Sequence, residues 1–237
     1  MTLLRMVFCL LLAAPLCAIA QNGPELMDDR VFYQVLFDEL EIADSGGKEA
    51  IVWDGQAWVG TDTRRLWIKT EGRRMSSDRD EAELQLLYSR AIAPYWDLQV
   101  GYRHEFDPKP SEDWAVLSVQ GLAPYFFEVE GELFIGNGSQ AGLRFKAHYE
   151  FLITQRVVLT PNIELNMFRE DDRQLGIRSG LSQLELGIRL RYEIRREIAP
   201  YVGLNWTQKL GNTADFAEAV GVDTHELQLL AGFRFWF

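Results

Sequence analysis

The side chains best suited to chemistry in this sequence are potential metal ligands, and they are few. Imidazole and thioether groups bind transition metals, and carboxylates add oxygen donors. Beyond residue 20 the imidazole and thioether side chains are His104, His148, His225, Met27, Met75 and Met167. No cluster of them shows a ligand spacing, so the fold itself would have to assemble a metal site.

Two places could assemble one. His148 and Glu150 are two residues apart, which in a β-strand puts both side chains on one face. His104, His225 and Met75 lie at predicted strand ends near one rim of the fold. For His148, a position in an internal hydrogen-bond network is the alternative interpretation.

The sequence contains no comparable evidence for a catalytic site. The serines on which a hydrolase could be built include Ser89, Ser118, Ser179 and Ser182. None is surrounded by a nucleophile-elbow or other catalytic motif. We therefore predict that the protein is not an enzyme.

Residues 1–20 are predicted to be a cleaved signal peptide. Arg5 precedes an apolar run that is too short to span a bilayer, and Ala18-Ile19-Ala20 is a small-x-small cleavage site. Residues 21–30 would then form a short periplasmic segment ahead of a domain at 31–237. A lipid anchor on Cys17 is the alternative, disfavoured because Leu16 stands where that signal needs a small residue.

Cysteine and charge content narrow the function classes. Cys9 and Cys17 both fall within the predicted signal, so the exported chain has no thiol for a disulfide, a zinc-thiolate site or a nucleophile. Without the signal, 23 basic and 35 acidic side chains remain, a formal charge of −12. That balance favours cations and argues against nucleic acid as a partner.

The elements that must position these residues are strands with two different faces. Between residues 183 and 194, apolar and charged side chains alternate, as they do at 140–154 and 226–237. Weaker alternation occurs at 31–42, 50–59, 65–72, 81–90, 95–106, 114–121, 125–136, 157–168 and 201–208. A phase slip near Asp38 predicts a β-bulge. No segment shows a sustained helical period.

Twelve strands of about ten residues predict an all-β fold, a transmembrane antiparallel up-and-down β-barrel. A soluble β-sandwich is the alternative, since its strands also alternate. Tight connections alternate with mostly longer charged ones such as ADSGGKE and GNTADFAEAVGVDT, which favours the barrel.

The tripeptide APY occurs at 93–95, 123–125 and 199–201, always in the predicted tight connections. We interpret each copy as a turn in which proline ends one strand and tyrosine begins the next. Aromatic residues gathered at strand ends predict interfacial girdles. They include Tyr95, Trp96, Tyr125, Phe126, Tyr201, Trp114 and the closing FRFWF.

The inward parity carries many charges. Its acids are Glu71, Glu83, Asp97, Glu128, Glu130, Glu132, Glu150, Glu164, Glu185, Glu193 and Glu226, and its bases are Lys69, Arg103, Arg144, Lys146, Arg189, Arg191 and Arg234. Such charges must be paired or hydrated. We predict a narrow lumen crowded by Glu–Arg pairs, in which surplus acids favour a small cation. A network that only supports the barrel is the alternative.

Five stretches resemble the bacterial copper resistance protein B family. They are WDGQAWVGTDTRRLWIKTEG, ELQLLYSRAIAPYWDLQVGYRHE, GLAPYFFEVEGELFIG, FLITQRVVLTPNIELN and GLSQLELGIRLRYEIRREIAPYVGLNW. The resemblance implies a barrel in the outer membrane of a Gram-negative bacterium, bound copper of undefined oxidation state, and a role in copper homeostasis. Family members often carry a Met- and His-rich segment before the barrel, whereas here Met27 is the only sulfur in QNGPELMDD.

The expected function is therefore outer-membrane copper binding or handling in copper resistance. A narrow cation-permeable or purely structural barrel is the alternative. Expected partners are outer-membrane lipid, a periplasmic copper oxidase or copper carrier, and the barrel-assembly machinery, which would read the terminal Phe237.

Overall fold

The computed structural model describes residues 30–75, 80–107, 111–137, 140–171 and 178–237. The predicted signal peptide and Met27 lie outside the described residues. The strands are β1 (Phe32–Ser45), β2 (Lys48–Gly60), β3 (Arg64–Met75), β4 (Glu81–Ala93), β5 (Trp96–Asp107), β6 (Glu112–Ala123), β7 (Phe127–Ile135), β8 (Ala141–His148), β9 (Phe151–Leu152), β10 (Val157–Phe168), β11 (Gly180–Tyr192), β12 (Ile198–Lys209) and β13 (His225–Trp236).

These strands form a closed antiparallel barrel. Neighbouring strands pair along the chain, except that β8 and β9 both pair with β10 and not with each other. β10 also pairs with β11, and β13 pairs with β1. β8 and β9 are one barrel strand with a break after His148, so the barrel has twelve strands, as the alternation predicts. The break has a local cause, because Pro161 lies opposite Tyr149 and has no N–H to donate back.

Alternation of side chains gives the barrel an apolar outside and a charged inside. On β11, Leu186, Ile188 and Leu190 are exposed on the outer face, whereas Arg189 and Arg191 are buried at 8% and 5% exposure. A soluble sandwich would bury the apolar set instead. The all-β transmembrane barrel is thus confirmed.

The phase slip in β1 is a β-bulge, as predicted. The pairing of β1 with β2 skips Asp38, and the register with β13 shifts over the same residues. The extra residue lets Asp38 and Glu39 both face the interior, where they contact Arg234 and Arg189.

The two ends of the barrel differ. The turn end carries the C-terminal Phe237 and short connections at 61–63, 94–95, 124–126, 153–156 and 193–197. At the loop end the chain connects β1 to β2, β3 to β4, β5 to β6, β7 to β8, β10 to β11 and β12 to β13. The prediction of a long loop at ADSGGKE is wrong. Most of this segment extends β1 and β2, and only Gly46 and Gly47 form the connection. Their φ angles of 59° and 90° suit a two-residue hairpin.

The three APY copies are not one motif. Tyr95 and Tyr125 lie in tight turns and have a left-handed backbone, each with a φ of 67°. A proline precedes each of them, which is the usual order in such turns. The third copy is an interior strand segment, since β12 begins at Ile198 and the turn lies upstream of it. Tyr201 and Trp114, expected in the girdles, are instead buried inside the barrel at 5% and 6% exposure.

A nine-residue helix, α1 (Gly211–Ala219), interrupts the loop between β12 and β13. The sequence analysis found no helical period, because only Thr213 and Ala217, one turn apart, are buried. Across the described residues, no helix is long and apolar enough to cross a membrane.

Candidate functional site

The candidate site is the barrel interior, a cavity of about 1000 Å³ lined mainly by charged and polar side chains. Lining residues come from every long strand and from α1. Because alternate residues of each strand point inward, every second side chain of a strand determines the chemistry of the interior.

One wall of the interior carries a cross-strand row of carboxylates. Directly paired positions on six neighbouring strands, β1 to β6, are Glu39, Asp54, Glu71, Glu83, Glu105 and Glu112. Like charges in directly opposite positions repel each other. This carboxylate row therefore requires cations from elsewhere in the barrel.

Two basic side chains of β8 reach the carboxylate row across the lumen. Arg144 lies 3.3 Å from Glu71 and 3.1 Å from Glu83. Lys146 contacts Glu71 and lies 3.9 Å from Asp54. Four strands separate β3 from β8 one way around the barrel and six the other. These ion pairs consequently cross the bore and narrow it.

Further pairs complete this central cluster. Arg144 is also 3.6 Å from both Glu132 and Glu164. On the carboxylate side, Arg103 lies 2.6 Å from Glu83 and also contacts Glu105. Arg144 and Glu83 are thus each shared among several partners, and the cluster acts as one network rather than as separate pairs.

A second cluster lies at Arg189 on β11. Its guanidinium is 2.8 Å from Glu39 and holds Glu41 with two hydrogen bonds, at 3.0 and 3.2 Å. The Tyr201 hydroxyl donates to the same Glu41 at 2.7 Å. Glu41 is only 4% exposed, so these donors replace the water that it loses.

Nearer the turn end, Arg191 pairs with Glu150 at 2.8 Å and with Glu193 at 3.3 Å. Arg234 contacts Asp38 at 2.5 Å. Most of the sequence-predicted interior charges are therefore held in ion pairs.

Four of the carboxylates that line the cavity, Glu81, Asp107, Glu185 and Glu226, take no part in these pairs within the described residues. Glu185 accepts a hydrogen bond from Asn205 at 2.7 Å and faces Glu164 directly across β10 and β11. Glu226 lines the cavity two strands away. Within the described parts of the chain, neither Glu185 nor Glu226 forms an ion pair. They belong to the surplus of acidic over basic side chains in this protein.

An apolar patch on β3 to β7 also faces inward. It consists of Trp67, Leu87, Trp114, Val116 and Phe134. The Arg103 guanidinium lies over the Phe134 ring at 4.3 Å, and the Trp67 indole donates to Ser89. Sequence alone does not separate these inward aromatics from girdle residues, because an aromatic residue suits lipid and a packed lumen equally well.

The loop end is partly covered by α1. Phe216, Val220 and Val222 line the cavity there, and the Arg178 guanidinium lies over the Phe216 ring at 4.3 Å. Asp171, after β10, accepts the Ser179 N–H at 2.9 Å and pairs with Arg178 at 2.8 Å. These two interactions lower the pKa of Asp171.

His148 faces the cavity as the sequence indicates, but its contact is with a different carboxylate. The His148 Nε2 lies 3.2 Å from Glu128, while Glu150 is taken by Arg191. Glu128 lies opposite His148 on β7, a pairing that no spacing along the chain reveals. His148 and Glu128 are 35% and 58% exposed, so both reach water.

The three rim candidates fall on different faces. His104 lies on the outer parity of β5, between Tyr102 and Phe106, and its Nδ1 is 2.6 Å from Asp113. His225 lies on the outer parity of β13.

Met75, the third rim candidate, lines the cavity. No group of three or more His, Cys, Asp or Glu side chains in the described ranges is arranged to hold a metal ion.

Sequence reasoning missed four members of the carboxylate row, Glu39, Asp54, Glu105 and Glu112, and also the neighbouring Glu41. The bulge reverses the parity of β1 beyond Asp38, and β2 carries tryptophan on both faces. Strand pairing, rather than single-strand pattern, is the signal that would have found them.

Comparison with known proteins agrees with this architecture. The profile of the family described as "Copper resistance protein B precursor (CopB)" matches residues 31–237. An Escherichia coli protein described as copper resistance protein B is 43% identical, over 91% of this chain and 73% of its own length. A homolog from Pseudomonas syringae pv. tomato is 38% identical, over 92% of this chain and 74% of its own.

Solved structures resemble the chain in fold alone. The NanC porin matches with a TM-score of 0.55 at 11% identity, covering 86% of this chain and 99% of the porin. The KdgM porin matches over the same shares with a TM-score of 0.51, also at 11% identity. Both neighbours are porins, which supports the barrel architecture.

Proposed function

Because this chain belongs to the copper resistance protein B family, we propose that it contributes to copper resistance from the outer membrane of a Gram-negative bacterium. In this proposal the charged interior is the part of the barrel that binds copper or lets it pass. Copper is cargo here rather than a resident cofactor.

The observation that carries the proposal is the carboxylate surplus in a cavity of about 1000 Å³. Glu185 and Glu226 are carboxyl groups with which no described arginine or lysine forms an ion pair. A cavity whose lining carries a surplus of one sign of charge attracts ions of the opposite sign. Carboxylate oxygens also suit Cu(II), which takes nitrogen and oxygen donors.

His148 supplies the nitrogen donor of this proposal. Together with Glu128 it offers one imidazole and one carboxylate at 3.2 Å, both facing water. Glu150, Met27, Met75, His104 and His225 stay weaker candidates. Of these, Glu150 is engaged by Arg191, and His104 and His225 lie on the outer face.

The turn end is proposed to face the periplasm, since short turns and the C-terminus lie there in outer-membrane barrels. The loop end with α1 would then face outward. A periplasmic copper oxidase or copper carrier would meet the barrel at the turn end.

The ion pairs that cross the bore favour a second candidate function. Arg144 and Lys146 close the space between β8 and the carboxylate row, as expected of a barrel that is purely structural or only weakly permeable to cations. The barrel would then not distinguish copper from other divalent ions.

A deletion strain complemented with variants separates the two functions. We expect the wild-type gene to restore growth on copper, and E185Q/E226Q to restore it poorly, because the variant removes interior charge without breaking an ion pair. The matched control is E49Q/E218Q, which removes two exposed carboxylates at the loop end. Growth on copper is compared with growth on zinc.

Full complementation by E185Q/E226Q would refute a role for the interior surplus. Equal sensitivity of the deletion strain to copper and zinc would favour the second candidate function.

A further inference from the structure

Exposed arginines collect at the turn end of the barrel. They are Arg30, Arg64, Arg90, Arg156, Arg195 and Arg196. Most of the interior arginines, by contrast, are held by carboxylates. Exposed acids at the same end include Asp62 and Glu197. The turn end is therefore a basic rim on an otherwise acidic protein.

Within this rim, Arg64 and Arg90 are placed as a pair. They occupy directly opposite positions on β3 and β4. Directly opposite residues have Cβ atoms about 4.5–5.5 Å apart, close enough for both guanidiniums to reach one anion. Two like charges in this arrangement repel each other, so the pair costs stability unless an anion lies between them.

Both side chains project outward. On β3, Arg64 shares its parity with Leu66 and Ile68, which are exposed on the outer face. On β4, Arg90 shares its parity with Leu86 and Tyr88. Arg65 and Ser89, on the opposite parity, face the interior.

Among the described residues, no protein group neutralises the pair. For the part of the chain that the structure describes, neither guanidinium makes an ion pair or a side-chain hydrogen bond. The neighbouring Arg65 shows the contrast, because its guanidinium pairs with Asp97 at 3.2 Å.

The pair also lies at the edge of the apolar surface. The next cross-strand row toward the loop end consists of Val59, Leu66, Tyr88, Val100, Leu117 and Leu133, all on the outer face. Toward the turn end follow the exposed Ile92 and Tyr95. A tyrosine beside basic residues at the end of an apolar band marks the headgroup level of a membrane.

We propose that Arg64 and Arg90 together bind the phosphate of an anionic phospholipid in the leaflet at the turn end. The guanidinium fork donates two parallel hydrogen bonds to phosphate oxygens, and two forks can hold one phosphodiester. The acyl chains would lie along the apolar row above the pair. The site is independent of copper.

Binding of a fluorescent phosphatidylglycerol to the detergent-solubilised full-length mature protein tests this. We expect R64Q/R90Q to weaken binding by roughly five- to twenty-five-fold, the factor for one to two arginines at about 1 kcal/mol each. Each single variant should weaken it about fivefold. The matched control R74Q/R169Q removes two exposed arginines at the loop end and should bind as the wild type does.

Three results would overturn the proposal. R64Q/R90Q could bind the lipid as tightly as the wild type, or the control could lose the same affinity, which would indicate general charge attraction. Inorganic phosphate could compete as strongly as unlabelled phosphatidylglycerol, which would identify a free-anion site instead. The unfolding temperature of each lipid-free variant is measured beside the titration; it should not fall, and the loss of like-charge repulsion in R64Q/R90Q should raise it slightly.

Discussion

At the scale of single residues, the interior depends on a few shared cations. Arg144 is 11% exposed and serves Glu71, Glu83, Glu132 and Glu164 within 3.6 Å. Removing one partner of a buried pair leaves an uncompensated charge, which costs far more than the pair itself contributes.

We therefore expect R144Q to lower the free energy of unfolding by about 3–5 kcal/mol. Denaturant unfolding of the refolded barrel in detergent gives this value. R74Q is the matched control, since Arg74 pairs with Asp80 on the exposed rim, and it should change stability by less than about 0.5 kcal/mol. Similar losses in both variants would show that Arg144 is not the centre of the network.

His148 gives a second residue-scale prediction. If its ring binds Cu(II), the electron paramagnetic resonance spectrum of the copper-loaded protein should contain nitrogen coupling that H148Q removes. H225Q, on the outer face, should leave the coupling intact. Unchanged coupling in H148Q would exclude His148 as the nitrogen ligand.

The interior site was only partly predictable at this scale. Parity within a strand indicates that Glu130 or Arg189 faces inward, because side chains alternate with a period of two. Parity does not indicate which charges meet. Glu128 contacts His148 and Glu41 contacts Arg189 through strand pairing and barrel closure, which depend on register.

At the scale of elements, local pattern predicts strands better than turns. The twelve alternating segments and the Asp38 bulge are confirmed. The bulge is visible in the sequence because a one-residue slip reverses the face of every later side chain. The APY motif misleads, since proline also fits inside a strand wherever its missing N–H is not needed. Pro200 in β12 and Pro161 in β10 show this.

The closing strand gives the element-scale prediction. Phe237 exchanges backbone hydrogen bonds with Val35, at 2.8 and 3.1 Å, and the Phe235 ring stacks on Phe37 at 4.9 Å. Deleting Phe237 should lower the yield of membrane-inserted barrel, because both the seam between β13 and β1 and the expected assembly signal lose their last residue.

Heat-modifiable migration of outer-membrane fractions measures that yield. The conservative F237Y variant keeps the backbone and an aromatic ring, and it should insert normally. Normal insertion of the truncated chain would contradict the assembly signal.

At the scale of the whole molecule, the outside and the inside of the barrel differ in chemistry. Outside, apolar rows face lipid and the basic rim at the turn end would bind headgroups. Inside, arginine and lysine from one wall neutralise a carboxylate row on the other and leave Glu185 and Glu226 in surplus. The cross-lumen pairs appear only when twelve strands close, so no single segment could predict them.

The most direct test of the account is equilibrium copper binding by the purified barrel, with zinc as competitor. We predict saturable binding that excess zinc does not match, and a lower affinity in E185Q/E226Q than in wild type or E49Q/E218Q. Weak uptake equal to that of zinc, or unchanged copper affinity in E185Q/E226Q, would contradict the claim that the charged interior handles copper.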